Sequence, residues 1–273
     1  MELKMKNLLL AGVVLGSLVL TGCATCEKAE KCEKAAVKEP FGYVISTTPT
    51  PRHRFSEPYN GWHKRYDAKR KQIADAKNQI DVVFIGDSIT HGWENRASME
   101  VLKKHFPKHE ILNLSHAGDR TEHQLWMAGE SGFFQPSGAY KGINPKLIVV
   151  LIGTNNIGHR TAGPEATAAG IKLIVEALRK NCPEAKILLF GVFPRAQNPD
   201  HVFRGQVKEI NQIICTLADG ENVFYEDIAG KLLEKDGTLS KKIMPDYLHL
   251  SPAGYEIWAQ AIELYVKRFA PKE

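Results

Sequence analysis

The chain of 273 residues is predicted to be an α/β protein, with a parallel sheet covered by helices on both faces. Three observations carry that expectation. Short unbroken runs of Val, Ile, Leu and Phe recur along the chain, the pattern of strands buried on both sides. Segments with helical periodicity separate them, as a parallel sheet with crossover helices requires. Polar, glycine-bearing text follows each apolar run, which puts it at the carboxyl edge of the sheet, where open α/β folds hold their ligands.

The elements follow in order. Trp62 to Lys77 reads as a helix with Trp62, Tyr66 and Ile73 near one face. Asp81 to Ile85 is the first strand, ended by Gly86 and followed at once by Asp87 and Ser88. A helix from Ser98 to Phe106 stops at Pro107. Glu110 to Leu114 is the second strand, and Thr121-Glu122-His123-Gln124 fits a capping box that opens the next helix. Lys146 to Ile152 is the third strand. Pro164 to Lys180 is a helix with proline in its first turn. Lys186 to Val192 is the fourth strand, Val202 to Ala218 a helix, and Asn222 to Tyr225 a shorter fifth strand. Ser251-Pro252 opens the last helix with a cap and an N1 proline.

The N-terminus reads as an export signal. Lys4 and Lys6 precede an apolar stretch from Leu8 to Leu20 that is short for a membrane span. Leu20-Thr21-Gly22-Cys23 then resembles the lipobox of bacterial lipoproteins, which implies that Cys23 is lipidated and becomes the first residue of the mature chain. The expected organisation is a signal peptide over 1–22, a flexible tether over 23–55 and a catalytic domain over 56–273. The tether expectation rests on the near-repeat Cys26-Glu27-Lys28-Ala29 and Cys32-Glu33-Lys34-Ala35 and on Thr47-Thr48-Pro49-Thr50-Pro51. Cys26 and Cys32 are candidates to pair with each other or with another chain in an oxidising compartment. Cys182 and Cys215 read as packing residues.

Composition narrows the function classes. A formal charge of +5 without a basic run or arginine stripe argues against nucleic acid as a partner. The cysteines form no zinc-like pair of pairs, and no ligand cluster of His, Asp and Cys is apparent. What the strand ends do offer is the parts list of acyl transfer: a nucleophile, a base, a group that orients the base, and donors for an oxyanion. Ser88 is the candidate nucleophile. His249 is the candidate base, because histidine is the side chain that ordinarily titrates near neutrality. Asp246, three residues earlier, is placed to reach its Nδ1–H. The N–H groups of Ser88 and Gly118 and the side-chain amide of Asn155 are candidate oxyanion donors. Arg160 and Arg195 are candidates to contact the substrate.

Each residue alone has a plainer explanation. Ser88 suits a helix cap, Asn155 a turn, Gly118 a tight backbone, and Asp246 with His249 the approach to the last helix. Their arrival in this order at successive strand ends favours one site.

Gly86-Asp87-Ser88, then Gly118, then Gly153-Thr154-Asn155, then Asp246-Tyr247-Leu248-His249 resembles the signature of the SGNH (GDSL) hydrolases. The likeness spans about residues 60–268. It runs strongest toward the platelet-activating-factor acetylhydrolase catalytic subunits, in Val83 to Ser88, Gly118-Asp119-Arg120-Thr121, Gly153 to Asn156 and Tyr247 to Leu250. The resemblance implies a flavodoxin-like α/β/α sandwich with strand order 2-1-3-4-5, and hydrolysis of short acyl esters without metal or cofactor. Asn156 departs from the aspartate common in the wider family. Glu130 to Asn144, with Phe133, Phe134 and Tyr140, is a longer segment than usual, expected at the sheet edge away from Ser88.

The function expected is therefore an exported serine esterase that removes acetyl groups from a carbohydrate or similar polar carrier. A lysophospholipase, acetylhydrolase or thioesterase acting on lipid esters is the alternative, and a non-catalytic glycan-binding module a further one. The expected partners are a small-molecule or glycan ester and, through Cys23, a membrane of the bacterial envelope. The sequence leaves the oligomeric state open.

Overall fold

The computed structural model describes residues 40–52, 60–76, 79–129 and 143–272. The signal peptide, Cys23, Cys26 and Cys32 lie outside the described residues, as do residues 53–59 and 130–142.

Five strands form one parallel sheet: β1 (Val82–Gly86), β2 (Ile111–Asn113), β3 (Leu147–Leu151), β4 (Lys186–Phe190) and β5 (Val223–Glu226), in the order β2-β1-β3-β4-β5. The expected order 2-1-3-4-5 is the one found. β1 lies between β2 and β3, with Val82 beside Ile111 and Leu147, and Phe84 beside Asn113 and Val149. Every residue of β1 and β3 is buried.

The sheet is dry on both sides because its side chains alternate between two cores. Val83, Ile85, Ile148, Val150, Ile187 and Leu189 face one core. It is filled by α2 (Asn60–Asp75), α5 (Thr121–Ala128), α7 (Pro164–Asn181) and α8 (Val202–Ile214). Val82, Phe84, Val149, Leu151, Leu188 and Phe190 face the other. That side is closed by α4 (Arg96–His105), α9 (Ala229–Leu232) and α10 (Pro252–Phe269). Trp258 of α10 is fully buried there, with the rings of Trp93, Phe190 and Phe193 around it. Trimming such a side chain to alanine costs about 3–5 kcal/mol, so α10 is held hard against the strands that carry the site.

Two expectations change. Residues 40–52, read as part of a flexible tether, belong to the folded body. α1 (Pro40–Thr47) packs on α5 and α7. Ser46 is buried, its carbonyl accepts from Thr121 Oγ1, and Thr50 N–H donates to Glu122 O. The apolar text Gly42-Tyr43-Val44-Ile45, between a charged stretch and a Thr/Pro stretch, is what the tether reading passed over. The capping box also shifts by one residue. Arg120 is the N-cap of α5, and its N–H donates to His123 Nδ1. Thr121 is thereby the first helical residue.

Cys182 and Cys215 are both buried, and burial pushes the Cys182 thiol up to about 12, as suits packing rather than nucleophilic chemistry.

Candidate active site

The site starts where β1 stops. Gly86 leaves no room for a side chain: a Cβ there would sit 2.3 Å from Leu151 O and 2.2 Å from Thr90 Oγ1. The chain turns at once into α3 (Ser88–His91), with Asp87 as its N-cap, accepting from Ile89 N–H at 3.0 Å. Asp87 is wholly buried, and burial raises its carboxyl to about 7 against the lowering pull of that N–H and of nearby cations. Ser88 is therefore the first residue of a helix, where its own N–H has no helical acceptor.

Ser88 Oγ lies 2.8 Å from His249 Nε2, and His249 Nδ1 lies 2.6 Å from Asp246 Oδ2. A carboxylate can only accept, so Asp246 assigns the ring proton to Nδ1 and leaves Nε2 to accept from the serine hydroxyl. Asp246 is held in turn. Its Oδ1 accepts from His249 N–H at 2.7 Å and Leu248 N–H at 3.1 Å, across a tight turn in which Tyr247 has φ 60°. Partial burial would raise the Asp246 carboxyl, but these hydrogen bonds outweigh it and hold the group below its ordinary value. The pair is open to water, with side chains 43% exposed at His249 and 55% at Asp246.

Gly118 has φ 76°, a left-handed conformation that glycine takes at little cost. Asn155 sits in α6 (Thr154–Gly158), buried, and its Nδ2 donates to Asp119 O at 2.9 Å. That amide nitrogen carries a second hydrogen. The loop is fixed from beneath by Asp119, fully buried. It accepts from Trp62 Nε1 at 2.8 Å and from Gln124 Nε2 at 2.6 Å. Gln124 Nε2 also donates to Gly86 O at 2.9 Å, so one amide joins the end of β1 to the Gly118 loop. Burial pushes the Asp119 carboxyl up to about 8, in spite of Arg52, Trp62 and Gln124.

Asn156 explains its departure from aspartate. Its Oδ1 accepts from Thr121 N–H, while its Nδ2 donates to Thr121 Oγ1 at 2.8 Å and to Ser46 Oγ at 3.2 Å. An aspartate could not donate, and here the donor ties α1 and α5 to the loop after β3.

The remaining candidates fall differently. Arg195 donates from Nη1 to Thr154 O at 2.8 Å and lies 4.5 Å over the Phe203 ring, so it braces the loops after β3 and β4. Arg160 is exposed at the end of α6, with φ 56°. A cleft of about 810 Å³ opens beside Gly118, lined among others by Arg52, Trp62, Arg65, Lys69, His91 and His159. Neither Arg160 nor Arg195 lines it. Among the described residues no group of three His, Cys, Asp or Glu side chains is placed to hold a metal ion.

Ser88, His249, Asp246, Gly118 and Asn155 thus meet at one sheet edge. Sequence reasoning missed Asp119, Gln124 and Trp62. The Gly-Asp-Arg-Thr text drew attention to the loop, but nothing in it said that the Asp119 carboxylate would point inward.

A profile of the GDSL-like lipase/acylhydrolase family matches residues 84–257. The human platelet-activating factor acetylhydrolase IB subunit alpha1 is 32% identical over 203 residues, 74% of this chain and 82% of that protein. Two solved structures share the fold. A GDSL-like lipase from Bacteroides thetaiotaomicron has a TM-score of 0.60 at 20% identity, over 76% of this chain and 97% of its own. An acetylxylan esterase from Geobacillus stearothermophilus has a TM-score of 0.52 at 17% identity, over 72% of this chain and 97% of its own. With the family's serine text at the end of β1 and its profile running through the sheet into α10, the chain belongs to the GDSL-like lipase/acylhydrolase family and is a carboxylic ester hydrolase.

Proposed function

We propose that the chain is an exported, lipid-anchored serine esterase that removes acetyl groups from a carbohydrate-like carrier. The observation that carries the reading is the continuous relay from Ser88 Oγ through His249 to Asp246, at 2.8 Å and 2.6 Å. Ser88 Oγ attacks the ester carbonyl carbon while its proton passes to His249 Nε2. The oxygen of the tetrahedral intermediate takes hydrogen bonds from the N–H groups of Ser88 and Gly118 and from Asn155 Nδ2. The intermediate collapses, the bond to the carrier oxygen breaks, and His249 returns the proton to that oxygen, freeing the alcohol. Water, deprotonated by the same Nε2, then attacks the acetyl-serine and releases acetate and Ser88. Asp246 stays ionised throughout and stabilises the imidazolium. In such sites each oxyanion donor typically contributes about a hundredfold or more.

Acetyl is supported by the edge loops, where large apolar side chains such as Trp93, Ile157 and Phe193 are buried in the body. An exposed apolar trough for a long chain would gain about 0.8 kcal/mol per buried CH₂. A relative that is an acetylhydrolase subunit and a fold neighbour that is an acetylxylan esterase point the same way. Export and anchoring are supported by Lys4, Lys6, Leu8 to Leu20 and Cys23.

The test is kcat/KM on 4-nitrophenyl esters from acetate to dodecanoate, run beside acetylated xylo-oligosaccharides, lysophospholipids and acyl thioesters. A steady fall with acyl length and release of acetate from the sugars are expected. A maximum at octanoate or beyond, or turnover of the lipids alone, would replace the carbohydrate reading with the lipid one.

A further inference from the structure

The strongest unexplained contact in the site comes from outside the core, at Arg52. It lies five residues past α1, in the arm formed by residues 40–52, and its side chain is 10% exposed. Nη2 donates to Gly118 O at 2.5 Å and Nη1 to Ala117 O at 3.2 Å. Nε lies 3.7 Å from Asp119 Oδ1. The backbone of Arg52 is pinned as well, since its carbonyl lies 2.6 Å from His63 Nε2 on α2. Behind it, Thr50 N–H donates to Glu122 O, and Ser46 joins Thr121 and Asn156. The arm is therefore anchored at three points before it presents its guanidinium.

The two carbonyls that Arg52 holds are not arbitrary. Ala117 C=O and Gly118 N–H belong to one planar trans peptide, on opposite sides of it. Gripping the oxygen fixes the direction of the N–H. A cation hydrogen-bonded to an amide oxygen also draws electrons through the peptide and makes its N–H a better donor. The second bond, to Gly118 O, fixes the next peptide plane and with it the left-handed turn at Gly118. A planar fork with several donors can span two carbonyls, whereas an ammonium offers a single point.

We propose that Arg52 is a positioning residue of the oxyanion hole, supplied by the N-terminal arm, which aims and polarises the Gly118 N–H. The proposal rests on the reading of Ser88 as nucleophile and Gly118 as oxyanion donor. Its consequence is that residues 40–52 are part of the working enzyme, and that whatever displaces this arm slows the chemistry without touching substrate.

The experiment uses the full chain with Arg52→Ala and Arg52→Lys, each assayed per active site on 4-nitrophenyl acetate. A misaimed donor is expected to lower kcat about tenfold to a hundredfold, with KM within about twofold. Arg52→Lys keeps the charge and the arm but cannot bridge both oxygens, so it shows the same split in a folded protein. An alkylboronic acid, which forms a tetrahedral adduct on serine, should bind more weakly by the same factor as the fall in kcat/KM. Methylguanidinium should restore rate to Arg52→Ala and leave the parent chain unaffected. Wild-type kcat in both variants, or lost rate with unchanged boronic acid affinity, overturns the proposal. Ser88→Ala, run alongside, separates the two levels: if it is inactive while the Arg52 variants are normal, only the role of Arg52 falls, and if it is active, the parent reading falls.

Discussion

Replacing Asp246 with asparagine tests the relay at its most exposed member. The substitution keeps the turn, because an amide oxygen can still accept from the N–H groups of His249 and Leu248 that now bond Oδ1. It places an NH₂ where Oδ2 faces His249 Nδ1 at 2.6 Å. Two donors cannot meet, so the ring prefers the proton on Nε2, which then points a hydrogen at Ser88 Oγ and cannot accept one. In serine proteases with a buried aspartate this change costs about 10⁴ in kcat. Here the Asp246 side chain is 55% exposed, so water can compete for Nδ1–H and recover part of the correct tautomer. The expected loss is therefore smaller, about 10²–10³ in kcat, or about 3–4 kcal/mol of barrier. Unfolding by urea should shift by less than about 0.5 kcal/mol, as for other exposed sites. The assay is kcat and KM on 4-nitrophenyl acetate. A variant that keeps a third or more of wild-type kcat would refute Asp246 as the group that orients His249.

Ser88→Ala and His249→Ala should each lower kcat by several orders of magnitude, and the double variant should be scarcely worse than either, since the two act as one unit; additive losses would separate them. Burial holds His116 and His123 down at about 3 and raises Asp87 and Asp119 to about 7 and 8. The unfolded chain binds more protons at the histidines below about 6.5, so they cost stability as pH falls from there toward 3, whereas the folded chain binds more at the two carboxyls, whose contribution is lost as pH rises through 7–8. The urea midpoint should accordingly peak in mildly acidic buffer, and a midpoint still climbing at pH 8 would contradict those environments. Cys23→Ser should move the protein out of the membrane fraction with unchanged esterase activity; a mature N-terminus elsewhere than Cys23, read by mass spectrometry, would defeat the anchoring proposal.

The sheet and the side chains that meet at Ser88 were legible because each has a local signal. An unbroken apolar run such as Val82 to Ile85 survives only where both faces of a strand are covered, and both cores are present. Ser88 follows directly from the end of that run. Asp246 and His249 are three residues apart, so one turn decides their contact, and the turn found is closed by Asp246 itself. The box at Thr121 was misplaced by one residue for an equally local reason. A histidine at the third helical position can accept from the cap N–H as a glutamate would, and His123 does so from Arg120.

What was not legible depends on partners far along the chain. Gln124 matters because its amide meets Gly86 O, 38 residues earlier, and Asp119 because Trp62 and Gln124 both point at it. Arg52 is the extreme case. It follows a Thr/Pro stretch whose composition suits a linker, and its chief partners are two backbone oxygens. Every residue carries such an oxygen, so the acceptor leaves no mark in the sequence. Side-chain partners can be sought by type and spacing; backbone partners cannot. A segment whose composition argues for a tether can thus dock through the groups that composition does not describe. Four of the arm's hydrogen bonds follow that rule, since Ser46 O, Glu122 O, Ala117 O and Gly118 O are main-chain acceptors. The carboxyl edge of the sheet is accordingly readable where side chains close in sequence meet, as at Asp246 and His249, and silent where an arginine from a distant segment grips two main-chain carbonyls.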